Sequence, residues 1–196
     1  MKTKLTGVIL AGGLARRMDF QDKGLILYQK QPLVSYAVKA LNQVADEVVI
    51  NANRNILQYQ QFGCHVISDQ TDRFDGPLAG VYSAMVYVKT GVLLVMPCDS
   101  PLFKARHLQK LLQCQTDQNV DIAVACDGEK IHPVFLAIKT TLQANLQDYL
   151  DGGQRKLAGW ILQQNTATVD FCDEPEIFAN INTMDELTTL EASVFQ

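Results

Sequence analysis

Nowhere in these 196 residues do about 18 apolar residues run together, so no membrane-spanning helix is expected. The apolar stretch VILA at 8 to 11 is too short, and too soon followed by Arg16, to read as a secretory signal, and a cytoplasmic location is predicted. The five cysteines, Cys64, Cys98, Cys114, Cys126 and Cys172, are odd in number, scattered and without a CxxC pair. Neither a disulfide framework nor a zinc cluster is indicated. No internal repeat, linker or low-complexity tract divides the chain. Basic residues stop at Lys156, and the net charge of -4, from 17 basic and 21 acidic residues, argues against a general nucleic-acid or membrane-surface binder.

What is present suits one domain spanning residues 1–196. Hydrophobic residues make up 47% and charged residues 19%, as in ordinary globular chains. The charge is unevenly spread. Residues 1 to 30 hold six basic residues against Asp19 and Asp22, a local +4, and the remainder carries -8. The acidic total conceals a basic N-terminal end.

Apolar runs of strand length recur at 6 to 12, 47 to 53, 64 to 69, 91 to 99 and 120 to 127, and their lack of alternation suits burial on both faces. Helical spacing lies between them. Leu33, Tyr36, Ala37, Ala40, Leu41 and Val44 form one stripe after Pro32, Leu78, Val81, Met85 and Val88 form another after Pro77, and Leu108, Leu111 and Leu112 a shorter one. Strands alternating with helices predict βαβ crossovers and a three-layer α/β/α Rossmann-like fold with a mainly parallel central sheet. Further on, KIHPVFLAIK and TATVDF read as strands, and LQANLQDYL, KLAGWILQQ and MDELTTLEASV as helices. These are expected to extend the same sheet within one domain, with 1–115 as its first part and 116–196 as a second part covering one side of the crevice.

Ligands of open α/β sheets sit beyond the carboxyl ends of the strands, so residues there take priority. LAGGLARRM at 10 to 18 follows the first strand, and Gly12 and Gly13 free the backbone to point N–H groups at an anion. Arg16, Arg17 and Lys23 add three cations within eleven residues of Gly12. The loop is neither a GxGxxG fingerprint nor a GK[ST] phosphate loop. A glycine turn beside a solvated basic face is the alternative, and the joint presence of charge, glycines and a strand end weighs against it. In MPCDSP, Asp99 sits between Pro97 and Pro101, a carboxylate suited to Mg²⁺, which takes one or two carboxylates plus substrate phosphates. A turn-forming aspartate is the alternative. Beside a cationic glycine loop, a metal-binding carboxylate completes a nucleoside triphosphate site.

Other strand ends add Asn51 and Asn53, Asp69, and the DGPLAG loop with Gly76, Pro77 and Gly80, whose backbone could read a base edge or simply start a helix. His65 and His107 read as structural, and His132 is open between structure and function. Arg155 and Lys156 suit either a second phosphate or helix solvation. Asn180 and Asn182 suit either the crevice or a helix cap.

In order along nearly the whole chain, GVILAGGLARRM, DKG at 22 to 24, INANR, Asp69, GPLAG, PCDSP, IHP, GGQRK and NINT followed by DEL resemble the nucleotidyltransferase family that includes molybdenum cofactor guanylyltransferase. The resemblance implies a nucleotidyltransferase fold and transfer of GMP from GTP to the terminal phosphate of molybdopterin, with release of pyrophosphate. It implies that Leu10, Ala11, Gly12 and Gly13 contact GTP, that Lys23 and Arg17 face its phosphates, that Asn51, Asp69, Gly76 and Pro77 contact the nucleotide, and that Asp99 holds Mg²⁺, with Mn²⁺ as a substitute. His132, Arg155, Lys156, Asn180 and Asn182 match the side where molybdopterin is expected. The implied partners are the two substrates and, transiently, molybdoenzymes or their chaperones, for a monomeric protein with no nucleic acid or membrane. Where the family usually reads RMG, this chain has Met18, Asp19 and Phe20, which adds a negative charge to the loop. Rival readings are a cytidylyltransferase acting on molybdopterin, a sugar-phosphate nucleotidyltransferase and a non-catalytic nucleotide-binding module.

Overall fold

Val8 and Ile9 are both fully buried although they point to opposite faces of their strand, because helices cover the sheet on both sides. The computed structural model describes residues 4–12, 22–70 and 76–181, together with Glu186 and Thr188. Within them the elements run β1 (Leu5–Leu10), β2 (Leu27–Tyr28), β3 (Gln31–Pro32), α1 (Leu33–Leu41), β4 (Glu47–Asn51), α2 (Ile56–Gln60), β5 (His65–Ile67), α3 (Pro77–Tyr87) and β6 (Val92–Pro97). They continue with α4 (Ala105–Asp117), β7 (Ile122–Cys126), β8 (Ile131–Lys139), α5 (Gln143–Asp151), α6 (Leu157–Ile161) and β9 (Thr166–Asp170).

Seven strands form one sheet in the order β5-β4-β1-β6-β8-β7-β9. The β5-β4-β1-β6 half is parallel, β8 runs antiparallel to both neighbours, and β9 is parallel to β7. The expected mainly parallel three-layer α/β architecture is therefore observed. On one face Val34, Ala37 and Leu41 of α1 and Leu108 and Leu111 of α4 join a core with Ile9, Ile50 and Met96. On the other, Leu78 and Val81 of α3, Leu146 of α5 and Trp160 of α6 pack on Val8, Val95 and Leu136. Trp160 also donates its indole N–H to Asn145 Oδ1 at 2.8 Å, so the largest core side chain leaves no polar atom unpaired.

Two features position the site. The chain leaves β1 towards β4 and β5 on one side and returns to β6 on the other, so the carboxyl end of β1 is a topological switch point. Secondly, β8 pairs with β6 only from Leu136 to Lys139, and its register against β7 shifts between Val124 and Ala125. Pro133, with no N–H to offer a ladder, lies in that irregular stretch. The carboxyl end of β6 is thus left open beside Val134.

The sequence patterns did not disclose α2 or the β2–β3 hairpin. The hairpin turns through Gln29 and Lys30 with φ of 50° and 64°, without the Asn-Gly pair that usually signals such a turn. The terminal helix expected over 184–194 falls, except for Glu186 and Thr188, outside the described residues. No helix among the described residues is long and apolar enough to cross a membrane.

Candidate active site

Leu10 lies in register with Asn51 on one side and Pro97 on the other, so β1, β4 and β6 end abreast. The chain stays tied just beyond: the Ala11 amide donates to the Asn51 carbonyl at 2.8 Å and the Cys98 amide to the Leu10 carbonyl at 3.1 Å. A cavity of about 330 Å³ opens above these ends, of the size small-molecule sites usually have. Leu10, Ala11, Gly12, Asn51 and Asp69 are among its lining residues, as are Lys23, Gly76, Pro77, Asp99 and Asn180.

One wall is an amide–carboxylate network. Asn51 Nδ2 donates to Asp69 Oδ1 at 2.9 Å and Asn53 Nδ2 to Asp69 Oδ2 at 2.7 Å, while the Asp69 amide returns a bond to Asn53 Oδ1 at 2.8 Å. Gly80 makes room for this wall inside α3, where a Cβ would come within 2.4 Å of Asn51 Oδ1 and 2.9 Å of Leu10 Cδ2. Gly76, ahead of α3, holds φ of 68° and ψ of -158°, a conformation essentially reserved for glycine. Pro77 then occupies the first helical position, as its fixed φ favours.

The opposite wall carries charge. Lys23 Nζ donates to Asp99 Oδ2 at 3.3 Å, and Asp99 is only 8% exposed. Burial pushes the Asp99 carboxyl above its ordinary range, and the Lys23 ammonium offsets part of that rise. Asp99 is held from behind by its carbonyl, which accepts the Ile181 amide at 3.2 Å. Ser100 Oγ donates to Asn180 Oδ1 at 2.7 Å, which ties the PCDSP turn to the 178–181 segment.

Lys23 has its own support. Asp22 is 4% exposed and accepts from Tyr59 Oη and from Asn55 Nδ2 at 3.2 Å, with Arg54 Nε at 3.3 Å. These four residues, with Ser100 and Val134, line or support the cavity but were not in the expected set, whereas Asn53 was named with Asn51 as a strand-end candidate. Asp22 could have been found as the acidic member of DKG, since a charge beside a phosphate lysine needs a partner. Tyr59 gave no signal at all.

The expected acceptor residues are not all gathered in the cavity. Asn180 lines it; His132, Arg155 and Lys156 do not. His132 bonds Asp127 Oδ2 through Nε2 at 2.7 Å and stacks on Phe178 with ring centres 3.7 Å apart, two residues before Asn180. The Lys130 amide and then His132 hold the Asp127 carboxyl below the usual carboxylate range. Arg155 Nη1 donates to the Leu150 and Gln154 carbonyls, both at 2.7 Å, and so closes the end of α5. Lys156 is exposed at the start of α6. Gly13, Arg17 and Asn182 lie outside the described residues, as does the Met18-Asp19-Phe20 departure.

Fold and site together define an α/β protein that gathers a lysine, a buried carboxylate and a polar amide wall at one switch point. The family model for the MobA-like NTP transferase domain matches residues 7–167. The chain is 41% identical over 194 residues to a molybdenum cofactor guanylyltransferase of Shewanella sediminis, with 99% of each chain covered. A protein of the same name from Shewanella frigidimarina is also 41% identical, again with 99% of both covered. In fold it matches the crystal structure of molybdopterin-guanine dinucleotide biosynthesis protein A from Archaeoglobus fulgidus, with a TM-score of 0.81 and 19% identity over 97% of this chain and 98% of that one. The chain belongs to the MobA-like NTP transferase family, and it is a nucleotidyltransferase.

Proposed function

We propose that this enzyme transfers GMP from GTP to the terminal phosphate of molybdopterin, or of its molybdenum-loaded form, releasing pyrophosphate. The observation that carries the reading is the convergence of Lys23, Asp99 and the Asn51–Asp69 wall in one cavity at the switch point. The amide wall and the backbone at Leu10–Gly12 and Gly76–Pro77 take the nucleoside, and Lys23 meets the phosphates with Arg17 and Gly13. Asn180 leads to the acceptor side, where His132, Arg155, Lys156 and Asn182 are assigned.

Among the described residues no cluster of three or more His, Cys, Asp or Glu could hold a metal by itself. The buried carboxylate of Asp99, lining the cavity beside Lys23, fits Mg²⁺, or Mn²⁺ in its place, which needs one or two carboxylates when substrate phosphates supply other ligands. Asp99 would hold it, and when bound the ion would neutralise charge on the reacting phosphates. The attacking phosphate is already anionic, so no side chain must remove a proton. What remains for the chain is alignment and charge: Lys23 offsets the developing negative charge, and the tied strand ends keep donor and acceptor in line.

The enzyme would act as a cytoplasmic monomer that passes its product to molybdoenzymes or their chaperones. Asp99→Ala is expected to lower turnover on the order of 10²-fold or more while the circular dichroism spectrum stays unchanged. Near-normal turnover in that variant contradicts the metal assignment. Pyrophosphate release from GTP, CTP and ATP with molybdopterin as acceptor separates guanylyl from cytidylyl transfer, and release from none of them leaves a nucleotide-binding module.

A further inference from the structure

Lys23 is flanked by two residues that both grip the same side chain. Before it, Asp22 turns its carboxylate to Tyr59 Oη, Asn55 Nδ2 and Arg54 Nε. After it, Gly24 packs so close that a Cβ there would lie 2.5 Å from Tyr59 Oη. Tyr59 is fully buried, and its burial, reinforced by the bond to Asp22, lifts its hydroxyl well above the ordinary range, so the proton stays on tyrosine and points at the carboxylate. Asn55 holds φ of 52° at the start of α2, which aims its amide at the same oxygen that Arg54 faces. The segment 53–59 begins at the amide wall through Asn53 and ends under Lys23 through Tyr59.

We infer that Tyr59, acting through Asp22, is a positioning residue that fixes Lys23 for the phosphates, with Asn55 in the same role. The inference rests on the reading of Lys23 as the phosphate cation. Anchoring the backbone on both sides of Lys23 fixes where its side chain starts, and the Asp99 carboxylate, 3.3 Å from Nζ, fixes where it ends. Placement is what an electrostatic group in a transfer site needs, since displacement by about 1 Å can cost on the order of 10²-fold in rate.

A double-mutant cycle separates this role from simple core packing. Tyr59→Phe removes only the hydroxyl and is expected to lower kcat/KM for GTP about tenfold in the wild-type background but less than about twofold in the Lys23→Ala background. Asn55→Gly, which keeps the left-handed backbone and deletes the amide, should show the same dependence on Lys23 with a smaller loss, and carries the test if Tyr59→Phe does not fold. Equal losses in the two backgrounds, or no loss in either, overturn the positioning role. If Lys23→Ala alone keeps normal activity, the reading of Lys23 fails and takes the inference with it. A severe Lys23→Ala defect with an additive Tyr59→Phe loss overturns the inference alone.

Discussion

Asp99 illustrates a conflict between stability and function. Burial raises its carboxyl above the ordinary value of 3.8, so the folded chain keeps a proton that the unfolded chain gives up as pH rises. Stability is therefore lost as pH rises through that interval, so the buried carboxyl works against the ligand-free fold. Asp99→Asn is expected to raise the melting temperature of the ligand-free protein at pH 7 while abolishing most turnover, which calorimetry and a pyrophosphate assay check together. A fall in melting temperature contradicts the burial argument.

His107 behaves in the opposite sense to a surface histidine. Its Nδ1 accepts the Lys104 amide at 2.9 Å, its ring packs against Phe103 and Phe171, and burial lowers its pKa from the ordinary 6.5. Below about pH 6.5 the unfolded chain binds a proton that the folded chain refuses, so this contribution is full above that pH and shrinks as pH falls towards the lowered folded value. His107→Gln should flatten the dependence of melting temperature on pH between 7 and 5. Asn51, Asp69 and Asp99 could be read from the sequence because each lies at or just past a strand end, and Lys23 because it adds a cation beside the glycine loop. Tyr59 could not: its partner Asp22 is 37 positions earlier, and five residues of helix give too little periodicity to reveal a buried face.

Among the elements, α3 begins at the cavity with Pro77 and β8 lines it with Val134. A glycine inside a helix ordinarily costs about 1 kcal/mol relative to alanine, yet Gly80 sits where a Cβ would strike Asn51 Oδ1 at 2.4 Å. Gly80→Ala should destabilise the fold by about 1 to 2 kcal/mol, because overpacking against Asn51 and Leu10 outweighs the gain in helix propensity, and weaken GTP binding by about tenfold as Asn51 is pushed from the wall, which titration calorimetry reads directly. Unchanged GTP affinity contradicts the role given to that wall. β1, β4, β6 and β7 were legible because burial on both faces makes them continuous apolar runs. The opening between β6 and β8 was not, since IHP announces a proline in a strand but not the register shift beside it. Likewise GGQRK reads as a basic patch, whereas Arg155 Nη1 donates to the Leu150 carbonyl in the last turn of α5 and to the Gln154 carbonyl just beyond it.

For the whole molecule, the sheet order brings residues from positions 10 to 180 into one cavity, and the locally basic N-terminal end contributes Lys23 to a chain that is acidic overall. A ligand that binds only the folded state adds about 2.7 kcal/mol at 100 times its Kd, which corresponds to a rise of about 5 to 10 °C in melting temperature for a chain of this size. GTP with Mg²⁺ should produce such a rise and CTP a smaller one. The most direct test of the central reading is pyrophosphate release when purified enzyme is mixed with Mg²⁺, molybdopterin and each nucleotide in turn. Release with GTP that depends on molybdopterin and is lost in Asp99→Ala is the expected result; a preference for CTP, or release that ignores the acceptor, contradicts it.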